Sequence, residues 1–400
     1  MSGSQERIPV EPSVITWARV RAGYREADLA AKRLSVSEAT LSSWESGEKQ
    51  PTIKQLRNMT KVYHRPLAVL LLPEPPKDFD PISDFRTMTL GRPRVWSPAL
   101  TASFQRAESQ RETFLEIAEL APAVVPEPHE PWRLPPGSTE DQAMRARRAL
   151  GMSTWAPAIW RDANKALNNA IDAVEQLGII VIHTQDVQTS EMRGLSISKW
   201  PFPVIALNGS DLPRPRLFTL LHELCHIGLS SGGLCDLHES RGRAHRSDND
   251  EREHACNQFA AALLMPKALL LAQASVRDAD QAKVWTPEEL RDLGGLFGAS
   301  SEATLLRLIF VGKATWDTYW IVKPQLDELY EQFRREQKAR QQAASGGPNY
   351  YTVKARDLGH GYVATVLSVY ESRAISSLDV ADYLDVRFDQ VDRLSKAVRR

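Results

Sequence analysis

The stretch FTLLHELCHI, Phe218 to Ile227, sets His222, Glu223 and His226 within five residues. Wound as a helix, it brings the two histidines, at i and i+4, onto one face, where both imidazoles reach a single ion. Leu220, Leu221, Leu224 and Ile227 surround them with apolar side chains, so the helix is buried or lines a cleft. Histidines left without partners there would be costly. Neutral imidazole is a good zinc ligand, and Glu223 is placed to take a proton from a zinc-activated water whose pKa has dropped to about 7. Three fixed positions arise by accident in roughly one chain of this length in a hundred, so the reading needs a further ligand.

A catalytic zinc site wants a third protein ligand and an open fourth position. The downstream segment DEREHACNQFAAALLM, Asp250 to Met265, reads as a helix ended by Pro266. Its candidates are Glu251, Glu253 and His254. Glu253 and Asn257 share a face one turn apart, which would let Asn257 orient a ligand from behind.

These segments together resemble the ImmA/IrrE family of zinc metallopeptidases. The carrying residues are RLFTLLHELCHI, EREHACNQFAAALLMP and, before them, RGLSISKWPFPVIALNGSDLPRPR, and the likeness covers roughly 140–310. It implies that His222, His226 and Glu253 bind Zn2+, the last as a gluzincin-like third ligand, with Glu223 as the catalytic base. The family more often has Glu-Ala-Asn where this chain has Ala255-Cys256-Asn257. All three cysteines, Cys225, Cys235 and Cys256, lie in this segment, and they read as small core residues in place of a redox switch. His238 and His245 fall in a charged, Gly-rich loop and read as solvated.

Working outward, 400 residues allow two or three domains. A hydrophobic share of 42%, a charged share of 25% and zero net charge describe a globular chain with no bulk signal for nucleic acid or membrane. Three cysteines make no disulfide framework, and neither a signal peptide nor a spanning segment is visible, so a cytoplasmic location is expected. The strands expected are 178–183, 194–198 and 202–208, and helices fill most of the rest. Proline-rich PEPPKDFDP and APAVVPEPHEPWRLPPGS punctuate the chain.

The expected division is 1–72, a five-helix head; 73–138, a proline-rich linker and helical connector; 139–270, the zinc peptidase core; 271–343, post-catalytic helices; and 344–400, a C-terminal helical module. Asp379, Asp382, Asp385, Asp389 and Asp392 in that last module would repel DNA, which suits it to protein contact. The fold class expected is multidomain and predominantly α: an XRE-like helix-turn-helix, a central α+β zincin-like domain with a small sheet, and a helical end.

The head resembles the XRE-type helix-turn-helix of phage repressors, on ADLAAKRLSVSEATLSSWESGEKQPT, with the WESG ending at the expected spacing. In that fold the helix near 37–45 enters the major groove. It offers Ser37, Thr40, Ser42 and Ser43 to bases, with Arg19, Arg21, Arg25, Lys49 and Lys54 for phosphates. Residues 1–72 hold eleven Lys/Arg against seven Asp/Glu, a surplus of four. DNA contact is favoured, and protein contact through the same helices stays open.

The chain is thus expected to be an intracellular zinc endopeptidase fused to a repressor-like head, a transcriptional or stress regulator that cuts a helix-turn-helix protein. That protein is a separate one or its own N-terminal region, clipped near 73–95 or 121–138. Expected partners are this substrate, DNA through 14–72, no membrane, and a possible homodimer. The rival reading is a non-proteolytic DNA- or protein-binding regulator with a sensory or structural zinc site.

Overall fold

The computed structural model describes residues 7–76, 96–125, 130–134, 136–230, 234–235, 248–343 and 349–398. The chain divides into two compact units, Met1–Arg106 and Ala107–Arg400. Five helices open the first: α1 (Pro12–Arg21), α2 (Ala27–Leu34), α3 (Glu38–Glu45), α4 (Ile53–Tyr63) and α5 (Leu67–Leu70). Ser35, at φ 57°, ends α2 in the left-handed region, and the turn delivers Ser37 as the cap of α3, accepting from the Thr40 N–H. Thr52 and Gln55 form a reciprocal capping box at the start of α4. Leu34, Leu41, Trp44, Leu56, Met59 and Tyr63 then meet in one core.

Arg19 is not a phosphate grip. It is buried, bonds Glu45 at 2.6 Å, and donates to the carbonyls of Tyr24 and Arg25. Ser43 is also turned inward, its hydroxyl donating to the Thr40 carbonyl at 2.7 Å, and so is withdrawn from any base. The cause is periodicity: Ser43 stands beside Trp44 on the core side of α3, whereas Ser42 is exposed.

A long helix, α6 (Pro98–Leu120), carries the division between the units. In the second unit follow α7 (Thr139–Ala149), α8 (Ala163–Glu175), strands β1 (Ile180–Thr184), β2 (Gly194–Ile197) and β3 (Val204–Asn208), then α9 (Pro213–Gly228), a short strand β4 (Leu234–Cys235) and α10 (Asp248–Leu264). Next come α11 (Pro287–Gly295), α12 (Ser301–Phe310), α13 (Trp316–Ala343), α14 (Tyr350–Leu358), α15 (His360–Glu371), α16 (Ser377–Tyr383) and α17 (Val391–Val398), with shorter helical turns between some of them. Helix α13 starts at Trp316 and contains Pro324 within it.

The sheet order is β1-β3-β2-β4. β1 pairs parallel with β3, and β2 antiparallel with β3. The register aligns His183 and Gly194 with Leu207, and Val181 and Ser196 with Ile205, so alternation puts all six on one face. That face meets α9: Val181, Ile205 and Leu207 share a core with Leu217, Leu220, Leu221 and Leu224. β4, only two residues long, has too little pattern to be read beforehand.

The C-terminal helices pack against β1 and α6. The ring of His183 meets the Arg356 carbonyl of α14 at 3.1 Å, and Gly359, at φ +91°, lies so close to β1 that a side chain there would collide with the Val181 carbonyl. From α6, Gln110 donates to the Leu358 carbonyl, and Phe114 stacks on Tyr362. Among the described residues, no helix is long and apolar enough to cross a membrane.

Candidate metal centre

Helix α9 begins at a built corner. Pro213 occupies its first turn, and buried Asp211 accepts from the Leu212 N–H at 2.7 Å, from Arg193 at 2.9 Å and from the Tyr330 hydroxyl at 2.6 Å. Its far end is braced by residues 130–134: the Trp132 indole donates to the Leu224 carbonyl, and the Leu134 N–H to that of Gly228. Between these anchors the helix is buried almost throughout.

His222 and His226 turn their Nε2 atoms toward each other at 3.0 Å. From α10, the Glu253 carboxylate reaches both, 3.3 Å from His222 and 3.2 Å from His226. One ligand atom from each of the three lies within 4.8 Å of the others. His222 is fully buried and His226 nearly so, so this convergence is held by packing. Of the three candidates on α10, Glu251 is exposed, and His254 bonds Gln258 at 2.5 Å. Glu253 is the one brought to the histidines.

Glu223 is wholly buried beside this trio, and neither carboxylate oxygen has a hydrogen bond of ordinary geometry. Burial pushes its pKa up, opposed by His226, His222 and the Ser196 hydroxyl on β2. Burial also disfavours charge on Glu253, but its bonds to His222 and His226 outweigh this and hold it well below the usual carboxylate range. The converse holds at His226: against burial, Glu253 and Glu223 push its pKa up to about 9. Two imidazoles and the Glu253 carboxylate turned on one point are a donor set that suits a divalent cation with nitrogen and oxygen ligands.

Two residues at this site were not singled out from the sequence, Gly194 and Ser196. A β-carbon on Gly194 would stand 2.5 Å from the Thr219 methyl and 2.8 Å from Glu223 Oε1. The signal available is a glycine inside a strand pattern, which marks a close approach. Asn257 lines a cavity beside the site and, among the described residues, makes no side-chain hydrogen bond. Cys225 and Cys256 are buried in the core. The side chain of Cys235, with His238 and His245, lies outside the described residues, as do 77–95, 126–129 and 135 of the expected linkers.

In the head, Arg25, Ser37, Ser42 and Lys49 are exposed. The Ser37 and Thr40 hydroxyls bond each other at 2.7 Å, which leaves Ser42 as the free hydroxyl on the outer face of α3.

Compared with known families, residues 174–308 match the IrrE N-terminal-like domain, a peptidase family, and residues 15–70 match the helix-turn-helix family. No curated protein and no solved structure matches the chain. The chain therefore joins a repressor-like helix-turn-helix to a metallopeptidase-type domain of the IrrE kind.

Proposed function

We propose that this protein is a zinc-dependent endopeptidase and regulator that cuts a helix-turn-helix protein, either a separate repressor or its own N-terminal region. The observation that carries this reading is the convergence of His222, His226 and Glu253 with Glu223 buried beside them. Three protein ligands suit catalysis, since structural zinc sites use four. When bound, zinc supplies Lewis acidity, lowering the pKa of water and polarising the scissile carbonyl.

The chain's own residues do the rest. His222, His226 and Glu253 hold the ion, their donor atoms fixed by two packed helices. Glu223 accepts the proton of the attacking water as its oxygen bonds to the carbonyl carbon. It then returns that proton to the amide nitrogen as the C–N bond breaks. A pKa raised by burial suits this carboxylate to carrying the proton between the two steps. Ser196, across from it on β2, steadies the charged form. In the head, Arg25, Lys49, Ser37, Thr40 and Ser42 would face DNA, bringing the peptidase to promoters where its substrate sits.

The test compares wild type, Glu223→Gln and His222→Ala for zinc content and for cleavage of co-expressed helix-turn-helix repressors. Near-stoichiometric zinc is expected in the first two and loss of zinc in His222→Ala. Fragments are expected from wild type alone. Cleavage that persists in Glu223→Gln would sink the assignment of the base. Zinc retained by His222→Ala would sink that of the ligand.

A further inference from the structure

The metal group is divided between two helices, His222 and His226 on α9 and Glu253 on α10, so its geometry depends on how α10 is set against α9. Helix α9 is anchored at both ends. Helix α10 has an anchor of its own at its C-terminus. Pro266 has no N–H to carry the ladder on, and the carbonyls of Leu263, Leu264 and Met265 find no backbone partner. Two guanidinium groups take them. Arg147 of α7 donates from one nitrogen to the Leu263 carbonyl at 2.6 Å and to that of Leu264 at 3.2 Å. Arg307 of α12 donates to the Met265 carbonyl at 3.0 Å, and its Nη2 pairs with Glu140 on α7.

Both cations are buried, Arg147 at 5% exposure and Arg307 at 2%. Among the described residues Arg147 has no carboxylate partner, and the ring of Trp160, 4.6 Å from its guanidinium carbon, is its other support. Burying a cation is costly, whereas water or a left-handed residue suffices to satisfy a helix end. Two cations drawn from two different helices therefore fix where this end sits.

We propose that Arg147 and Arg307 are positioning residues for the metal centre. By clamping the last carbonyls of α10 to α7 and α12 they set the rotation and height of that helix, and so aim Glu253 at the ion shared with His222 and His226. This rests on the reading of those three residues as a zinc site and deepens it. Leu264 lies about three turns and about 16 Å beyond Glu253, a length over which a helix is stiff, so an error at the clamp reaches the ligand. A rotation of about 20° moves a carboxylate about 6 Å from the axis by roughly 2 Å. A metal–ligand bond tolerates roughly 0.2 Å. The histidines, held by α9, stay in place, and the loss falls on Glu253.

The experiment uses the full chain and reads three quantities: zinc affinity by competition with a chelator, the visible spectrum after cobalt substitution, and the denaturant midpoint. Arg147→Met keeps a stem against Trp160 and removes the donors, and Arg307→Met does the same at Met265. Each should weaken zinc binding by roughly tenfold or more. The cobalt bands should move in the direction set by Glu253→Gln, which alters the ligand itself. Arg147→Lys, which keeps a donor, should fall between wild type and Arg147→Met. With Glu253→Gln already present, Arg147→Met should cost no further zinc affinity, because the ligand that it aims is gone. Gly359→Ala, destabilised at β1, should bind zinc like wild type and controls for stability alone.

Methionine variants that fold and bind zinc with wild-type affinity overturn the proposal. If Arg147→Met does not fold, Arg147→Lys carries the test, and wild-type affinity there overturns it. So does a loss that persists in full in the Glu253→Gln background, or an equal loss in Gly359→Ala, since either makes the effect one of general stability. A wild type that takes up no zinc removes the metal-centre reading and this proposal with it. If affinities and spectra follow the expected pattern while no Glu223-dependent product forms, the positioning role stands and only the peptidase reading falls.

Discussion

Replacing Gly194 by alanine separates the stability of the centre from its chemistry. The added methyl would fall 2.5 Å from the Thr219 methyl and 2.8 Å from Glu223 Oε1, whereas ordinary contact begins near 3.4 Å. The shortfall is about 0.9 Å against a methyl fixed on a buried helix and about 0.6 Å against a carboxylate that can rotate. Overpacking of this kind costs roughly 1–3 kcal/mol, and a catalytic group displaced by about an ångström loses on the order of a hundredfold in rate. Gly194→Ala should therefore lower the denaturant midpoint and cut turnover, while zinc content stays at the wild-type level because no ligand is touched. Thr219→Ser removes the methyl that the new side chain would strike and leaves Glu223 displaced. The double variant should recover about 1–2 kcal/mol relative to the sum of the single changes and stay slow. Denaturation curves, metal analysis and cleavage rates on the four proteins read this cycle. A Gly194→Ala protein as stable and as fast as wild type, or no relief from Thr219→Ser, would refute the packing argument.

Two further predictions concern the support of the sheet. Burial, reinforced by Asp172, raises the Glu175 pKa from 4.5 to about 8, against the opposing pull of the Gly361 and Val181 N–H groups. The native state then holds a proton that the unfolded chain has lost, so stability falls as pH rises between those two values, by about 1.4 kcal/mol per pH unit. Glu175→Gln should flatten that slope in denaturant titrations across the window, and an unchanged slope would remove Glu175 as its source. Gly359→Ala combines a backbone at φ +91° with a β-carbon 2.3 Å from the Val181 carbonyl. It should cost at least roughly 1–3 kcal/mol, and a midpoint like that of wild type would show that the strand yields freely.

Legibility followed how local each signal was. His222, Glu223 and His226 declare themselves because all three stand on one helix at fixed spacing. The choice of Glu253 over Glu251 and His254 depends on how α10 is rotated against α9, which no single helix records; a family resemblance had to supply it. β1 and β3 were readable from β-branched runs, β2 only as a weaker strand pattern between them, and the five-helix head from its turns and its WESG ending. Ser43 and Arg19 misled because a polar residue on a short helix looks alike whether it faces a partner or the core. Arg19 meets Glu45 across the bundle, a pairing of residues 26 positions apart that periodicity cannot show.

The position of β1 bears on how the molecule survives in a cell. It is an outer strand of its sheet, and the parallel register turns the Val181 N–H and carbonyl away from β3. Gly359 sits on that carbonyl, and the Glu175 carboxylate draws on that N–H. A chain ending at residue 343 would retain His222, Glu223, His226 and Glu253 yet bare an apolar strand edge able to pair with other copies. The last fifty residues thus act as a guard against aggregation, and a shortened peptidase would be lost to precipitation before it was lost to chemistry.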